Sequence, residues 1–258
     1  MPKRGSFRTK WALMGITTVL CVVWLYLYFD SVRQRRRAEQ VLSDLIVFPF
    51  ATADFALVRD ITLRHGGGPI RSNLEQVSGT CTPRDCEFEV SILPAETRLL
   101  RDQKRFLRAL DLTGQYLGFH PWMVTVTFTV RDGSLQHSRT TVEQERIGRS
   151  GDYSGRILIS YSVDTDRTAT PYSDAEYPGS DYAVTRPHVT GAPTDVLQVW
   201  TVPKPSGAWK RAFDIHLDCL TAVLRGCVDF RGLAPSAWAD YEASRDPMQF
   251  GMRGPSQP

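Results

Sequence analysis

The sequence predicts an α+β protein: an N-terminal transmembrane helix, then one domain built on an antiparallel sheet of five or six strands with a few packed helices. Three observations carry this reading. Residues 11–29 are nineteen residues without a charge, bracketed by Lys10 and Asp30. Residues 124–130 alternate, with Val124, Val126, Phe128 and Val130 against Thr125, Thr127 and Thr129, the period of a strand that buries one face. Residues 52–66 place Phe55, Val58 and Ile61 at helical spacing between Thr52 and Gly66.

Taken in order, residues 1–10 read as a cytoplasmic tail and residues 11–29 as the membrane span. At a rise of ~1.5 Å per residue the span covers roughly 28 Å, close to the ~30 Å hydrocarbon thickness. Trp11, Trp24, Tyr26 and Tyr28 supply amphipathic rings for its two interfaces. The competing reading, a cleaved secretory signal, needs a shorter apolar core and a small-residue cleavage site. Here Asp30, Ser31 and then Arg35, Arg36 and Arg37 follow Phe29. A lipid anchor also fails, since Cys21 follows Thr18-Val19-Leu20 and lacks the small residue such a site needs. Residues 30–45 continue as a juxtamembrane stalk, residues 46–243 form the domain, and residues 244–258 are expected to be a disordered tail.

The formal charge of +3 conceals a division. Eight basic residues flank the span; from Ala38 onward 23 basic residues face 27 acidic ones. A mildly acidic domain lacks the basic stripe that nucleic acid requires, so the expected partners are the membrane, integrally, and an envelope protein, with no nucleic acid. Arginine outnumbers lysine 26 to 5, which suits a GC-rich bacterial genome, and the single asparagine, Asn73, is followed by Leu74-Glu75 and is no glycosylation acceptor. Basic residues lie on both sides of the span and nearly cancel in the positive-inside rule. The cysteines break the tie. Cys81 with Cys86, and Cys219 with Cys227, form two close pairs of the kind found in oxidising compartments, which places the domain outside the cytoplasm on the inner membrane.

Within the domain, Thr52 reads as the N-cap of a helix with His65 in its last turn and Gly66 closing it. Gly66-Gly67-Gly68 lacks the Gly-Lys-Ser/Thr of a phosphate loop and reads as a helix end and turn. Residues 88–93 alternate as a strand ended by Pro94, and residues 95–112 carry Leu99, Phe106, Leu107 and Leu110 among charges, as in a surface helix. Asp132-Gly133 supplies a hairpin turn after the 124–130 strand, and the polar return over residues 135–147 reads as an exposed or edge strand. Residues 157–163 are a further strand. Residues 164–195, with Pro171, Pro178, Pro187 and Pro193 among Tyr172, Tyr177 and Tyr182, read as a long irregular loop, either a binding loop or an excursion. Residues 196–202 and 212–219 are expected strands, residues 220–225 a short helix, and residues 235–243 a last helix opened by Pro235.

One segment offers chemistry. In a strand over residues 213–219, Phe213, Ile215, Leu217 and Cys219 face the core and leave Asp214, His216 and Asp218 together on the other face, a metal-ligand or proton-transfer set. The competing reading is a solvated strand face, since no further ligand stands at recognisable spacing. Gly151-Asp152-Tyr153-Ser154-Gly155 places its serine one position too late for a nucleophile elbow, and His65, His120, His137 and His188 are scattered. The four paired cysteines suit two disulfides, Cys81–Cys86 and Cys219–Cys227, better than zinc, because seven residues between Cys219 and Cys227 exceed the usual knuckle.

Three stretches, the 52–66 helix, the Cys-Thr-Pro-x-x-Cys segment at 81–86, and Cys219-Leu220-Thr221 through Gly226-Cys227 to Pro235-x-Ala237-Trp238, resemble a group of bacterial single-anchor membrane proteins with paired cysteines and no assigned activity. The resemblance implies the topology and the cysteine pairing. The helix-then-glycine opening is also similar to small lipoprotein domains of the outer-membrane assembly accessory type, although their lipidated cysteine is missing here. The sequence as a whole leads to the expectation of a non-catalytic binding or scaffold module of the bacterial envelope that needs no catalytic residue, metal or cofactor. The alternative is a membrane-tethered hydrolase or metal-dependent enzyme centred on His216.

Overall fold

The computed structural model describes residues 5–70, 81–102, 120–150, 153–166, 182–186, 194–202, 207–222 and 226–245. It opens with one helix, α1 (Gly5–Val47), 43 residues long. Between Gly15 and Pro49 no glycine or proline interrupts it, so it runs on for about 64 Å at ~1.5 Å per residue. From Trp11 to Phe29 it is apolar and largely exposed. The stretch is long and apolar enough to cross a membrane, with none of its most apolar window buried. The second half is different. Ser31, Gln34, Ala38, Val41, Leu42 and Leu45 are buried at intervals of three and four, one stripe of the helix. Residues 30–45 are therefore not a free stalk; they are a core helix of the domain, because the stripe finds a sheet to cover.

Among the described residues that sheet has seven strands: β1 (Gly68–Pro69), β2 (Cys86–Ile92), β3 (Trp122–Arg131), β4 (Ser134–Ser150), β5 (Tyr153–Asp166), β6 (Tyr182–Thr185) and β7 (Thr194–Thr201), in the order β1-β2-β3-β4-β5-β7-β6. The architecture is α+β as expected, but the sheet is mixed: β5 and β7 pair in parallel, and the other neighbours are antiparallel. A parallel neighbour needs a crossover, and β6 lies within it, returning antiparallel to β7 at the edge. The expected loop over residues 164–195 thus contains the end of β5, all of β6 and the start of β7; residues 167–181 and 187–193 lie outside the described residues.

Phe88, Val90, Val124, Val126, Phe128, Val142, Ile159, Tyr161, Leu197 and Val199 line one face of the sheet and join the α1 stripe in a single apolar cluster. Burying a side chain of this size is worth ~1.5–3 kcal/mol. β4 is not an edge strand as its polarity led us to expect; it pairs with β3 on one side and β5 on the other. Its buried polar residues Ser138 and Thr140 are small, and Gln144 has partners of its own, described below.

Helix α2 (Phe55–Arg64) is capped by Asp54, whose Oδ1 accepts the Leu57 N–H at 2.9 Å, and not by Thr52. His65 ends it and touches Asp44 of α1, Nε2 to Oδ2, at 2.9 Å. Gly66 takes a φ of +76° there, and a Cβ on Gly67 would strike the Glu89 carbonyl of β2, so these two glycines serve a turn and a close approach. The β3–β4 turn is Asp132-Gly133, with φ of 50° and 76°. Gly133 receives both neighbours: its N–H donates to Arg84 O at 2.9 Å, and its carbonyl accepts from Phe55 N at 3.1 Å. Helix α3 (Ala95–Asp102) begins the expected 95–112 helix; residues 103–112 lie outside the described residues. The chain ends with α4 (Gly207–Ala212), a 3-10 turn (Leu217–Thr221), α5 (Phe230–Leu233) and α6 (Pro235–Arg245), so the last helix reaches two residues into the expected tail. The remainder of that tail, residues 1–4 and most of the Gly151–Gly155 string's turn lie outside the described residues.

Candidate functional site

Residues 212–219 do not form the expected strand. Trp209 and Phe213 sit one helical turn apart with ring centroids 4.7 Å from each other, and Phe213 N–H donates to Trp209 O, so α4 is followed by a tight turn. A 3-10 turn then begins at Leu217. The alternation survives in part. Phe213 and Leu217 are buried, whereas Ile215 and Cys219 are only partly so.

Of the three polar residues, two meet. His216 Nε2 lies 3.0 Å from Asp214 Oδ1, while the 3-10 turn swings Asp218 away to α1, where Oδ1 meets Arg35 Nη1 at 2.8 Å. Sequence reasoning missed a third member: Ser236 on α6 donates its hydroxyl to Asp214 Oδ2 at 2.5 Å. A serine, a histidine and an aspartate are thus together, but the carboxylate stands in the middle. A hydrolase relay requires the imidazole between carboxylate and hydroxyl, so that it can take the hydroxyl proton. Here His216 is bonded to the wrong partner for that step. The cluster instead ties the first turn of α6 to the 213–216 segment, alongside the His216 N–H to Leu233 O bond at 2.8 Å. Among the described residues no group of three metal-capable side chains forms.

A second buried carboxylate, Asp164 on β5, also escaped the sequence. Its Oδ1 accepts from Arg139 Nε at 2.6 Å and lies 3.4 Å from His137 Nε2; its Oδ2 accepts from Gln198 Nε2 at 2.9 Å. Burial works to raise its pKa, but the bonds from His137, Gln198 and Arg139 together outweigh it and hold the carboxyl below its usual range. The cluster joins β4, β5 and β7 and gives each carboxylate oxygen a partner.

A further set of polar contacts surrounds the point where the apolar part of α1 becomes its core part. Asp30 Oδ2 accepts the Ala95 N–H, the first of α3, at 2.7 Å, and Gln34 Nε2 donates to its other oxygen at 3.4 Å. The Ser31 hydroxyl accepts the indole N–H of Trp122 at 3.0 Å. Glu96 of α3 is buried too, and its interaction with Ser31 works to lower its pKa. Arg35 reaches Asp218 and the Thr221 hydroxyl, at 3.0 Å, and Glu39. Burial first, and the charge of Asp30 last, push the Glu96 pKa up to about 7 against smaller opposing hydrogen bonds.

The two disulfides mark the ends of the same axis. Cys219–Cys227, with Cα atoms 4.7 Å apart, lies at this collar. Gln144 of β4 holds it: its Oε1 accepts the buried Cys227 N–H at 2.7 Å and its Nε2 donates to Leu220 O at 3.4 Å. Gly226, at a φ of +57°, passes so close to His120 that a Cβ would sit 2.8 Å from the ring. Cys81–Cys86, also 4.7 Å between Cα atoms, lies at the far end, where Cys86 pairs with Val130 next to the β3–β4 turn. Compared with protein-family models, with curated proteins and with solved structures, the chain matches none.

Proposed function

We propose that this is a single-pass membrane protein whose domain sits outside the cytoplasm, directly on the bilayer surface, and works as a non-catalytic binding or scaffold module of the bacterial envelope. The observation that carries the reading is the continuity of α1: one helix presents an apolar surface around residues 11–29 and a buried stripe from Ser31 onward. A catalytic domain that samples soluble substrate gains nothing from such a joint. A module that holds a partner at fixed height and orientation above a membrane does. The disulfides support the extracytoplasmic side, and the Ser236–Asp214–His216 order supports a non-catalytic role.

Inserting a flexible Gly-Ser linker of about ten residues between Phe29 and Asp30 tests this, because it leaves both halves of α1 intact and removes their rigid connection. Chemical cross-linking in the native membranes, followed by purification of the full-length chain, should yield a discrete adduct with the parent protein and lose it with the linker variant. Equal adducts from both, or an activity on soluble substrate that the linker leaves unchanged, would overturn the rigid-module reading.

A further inference from the structure

We infer that α1 carries a binding site for the phosphodiester head group of an anionic phospholipid, built by Arg33 and Arg36 just beyond the apolar span. A groove of about 520 Å³ is lined there by Tyr28, Phe29, Val32, Arg33, Arg36 and Arg37. Phe29, Arg33 and Arg36 follow one another at helical spacing, with Gln40 one turn further, so the groove is a stripe that passes from apolar to cationic along the helix. The four arginines of this segment are not equivalent. Arg35 is spent on Asp218, Thr221 and Glu39, and Arg37 on Gln34 and the His65 carbonyl. Arg33 and Arg36 are exposed and make no ion pair among the described residues.

Their height fits the ligand. Arg33 and Arg36 lie four and seven residues past Phe29, roughly 6 and 10 Å along the axis. The head-group layer begins where the ~30 Å core ends and extends ~5–8 Å on each side, so both guanidinium groups, on flexible stems, reach phosphate depth. A guanidinium offers paired donors that match two phosphate oxygens, and Phe29, Val32 and the ring of Tyr28, stacked on Trp24 with centroids 5.6 Å apart, offer an apolar wall for an acyl chain below. A soluble phosphate would use the arginines and leave that wall unused; a lipid uses both.

The site rests on the reading of residues 11–29 as a membrane span. Full-length protein in mixed micelles carrying phosphatidylglycerol or phosphatidylcholine, analysed by native mass spectrometry, tests the two separately. We expect bound phosphatidylglycerol to exceed phosphatidylcholine. Arg33→Ala and Arg36→Ala should each weaken phosphatidylglycerol binding about fivefold, and Arg33→Lys with Arg36→Lys should lie between parent and double alanine variant. Arg59→Ala, which removes an exposed charge elsewhere, should change nothing, and 10 mM inorganic phosphate should leave the lipid bound. Equal retention of the two lipids, an unaffected double alanine variant, or an Arg59→Ala loss of the same size would overturn the site. Displacement by inorganic phosphate would show a soluble-anion site instead. A chain that stays in water without micelles overturns the span itself, and the lipid site with it.

Discussion

The indole N–H of Trp122 donates to the hydroxyl of Ser31 at 3.0 Å, across 91 residues of chain, with both side chains buried. Ser31 stands two residues beyond the apolar span and Trp122 opens β3, so this bond fixes where the sheet begins relative to the anchor. Removing the hydroxyl leaves a buried indole N–H without its acceptor, which costs ~1–3 kcal/mol. Ser31→Ala in the full-length protein should lower the urea midpoint accordingly. Trp122→Phe costs its own lost packing, and the double variant should be less destabilised than the sum of the two. Strict additivity would show that the bond contributes nothing.

Glu96 makes the collar sensitive to pH. Between its ordinary value of 4.5 and about 7 the folded protein holds a proton that the unfolded chain has released. The unfolded state therefore binds fewer protons, and stability falls as pH rises through that window, fully present below 4.5 and lost above about 7. At ~1.4 kcal/mol for each pH unit the loss is at most roughly 3 kcal/mol. Glu96→Gln keeps the shape without the charge. It should match the parent near pH 4.5, exceed it at pH 8, and flatten the profile of unfolding midpoint against pH; a parallel profile would show that Glu96 is already ionised in the folded state.

Much of this was legible in the sequence, where one short-range pattern dominated. The uncharged 11–29 run, the Val124–Val130 alternation and the Asp132-Gly133 turn each rest on neighbours within a few residues, and each stands in the structure. What escaped depends on distant partners. Ser31 and Gln34 look like solvated positions among arginines, and only Trp122, Glu96 and Asp30 explain their burial. The alternation over residues 213–219 yields to the helical spacing of Trp209 and Phe213 and to Asp218 finding Arg35 on α1. β4 looks like an edge because the 135–147 return is polar, yet Cys227 and Leu220 satisfy the Gln144 amide inside the protein. The parallel β5–β7 pair, which assembles the Asp164 cluster, is a crossover that no local pattern announces.

The orientation of the chain is testable directly. Alkaline phosphatase requires its own disulfides and is active only outside the cytoplasm. Fused after residue 258 it should be active, and a cytoplasmic fluorescent reporter at the same position should be dark. The reverse pattern would place the domain in the cytoplasm and remove the argument from its disulfides.

His216 is expected to be dispensable for metal content. Its near neighbours are one carboxylate, Asp214, already shared with Ser236, while Asp218 is held by Arg35. Elemental analysis of the purified full-length protein should find no stoichiometric zinc, manganese or iron, in parent and His216→Ala alike. A metal that is present in the parent and disappears in His216→Ala would establish the enzyme reading in place of ours.

The two disulfides should differ in what they hold. Non-reducing peptide mapping is expected to recover Cys81 linked to Cys86 and Cys219 linked to Cys227, with Cys21 free. Cross-linked segments, or four thiols around zinc, would refute the pairing, and the zinc outcome would also remove the argument for the extracytoplasmic placement. On loop entropy alone the bonds are nearly equal, roughly 2 to 3 kcal/mol each. Their surroundings are not. Cys81 is exposed and its loop closes on itself, with Thr82 N–H donating to Asp85 O at 3.1 Å. Cys227 is fully buried, its N–H is bonded to Gln144, and the neighbouring 3-10 turn carries Asp218 and Thr221 to Arg35. Opening the second loop therefore frees a buried N–H, the Gln144 amide and one side of the collar together. Cys219→Ser with Cys227→Ser should cost about 2 kcal/mol more in urea unfolding than Cys81→Ser with Cys86→Ser, since each stranded buried group adds ~1–3 kcal/mol. It should also render the chain near Arg35 accessible to trypsin. Equal costs and unchanged proteolysis would mean that Gln144 and Arg35 hold the collar without the covalent bond.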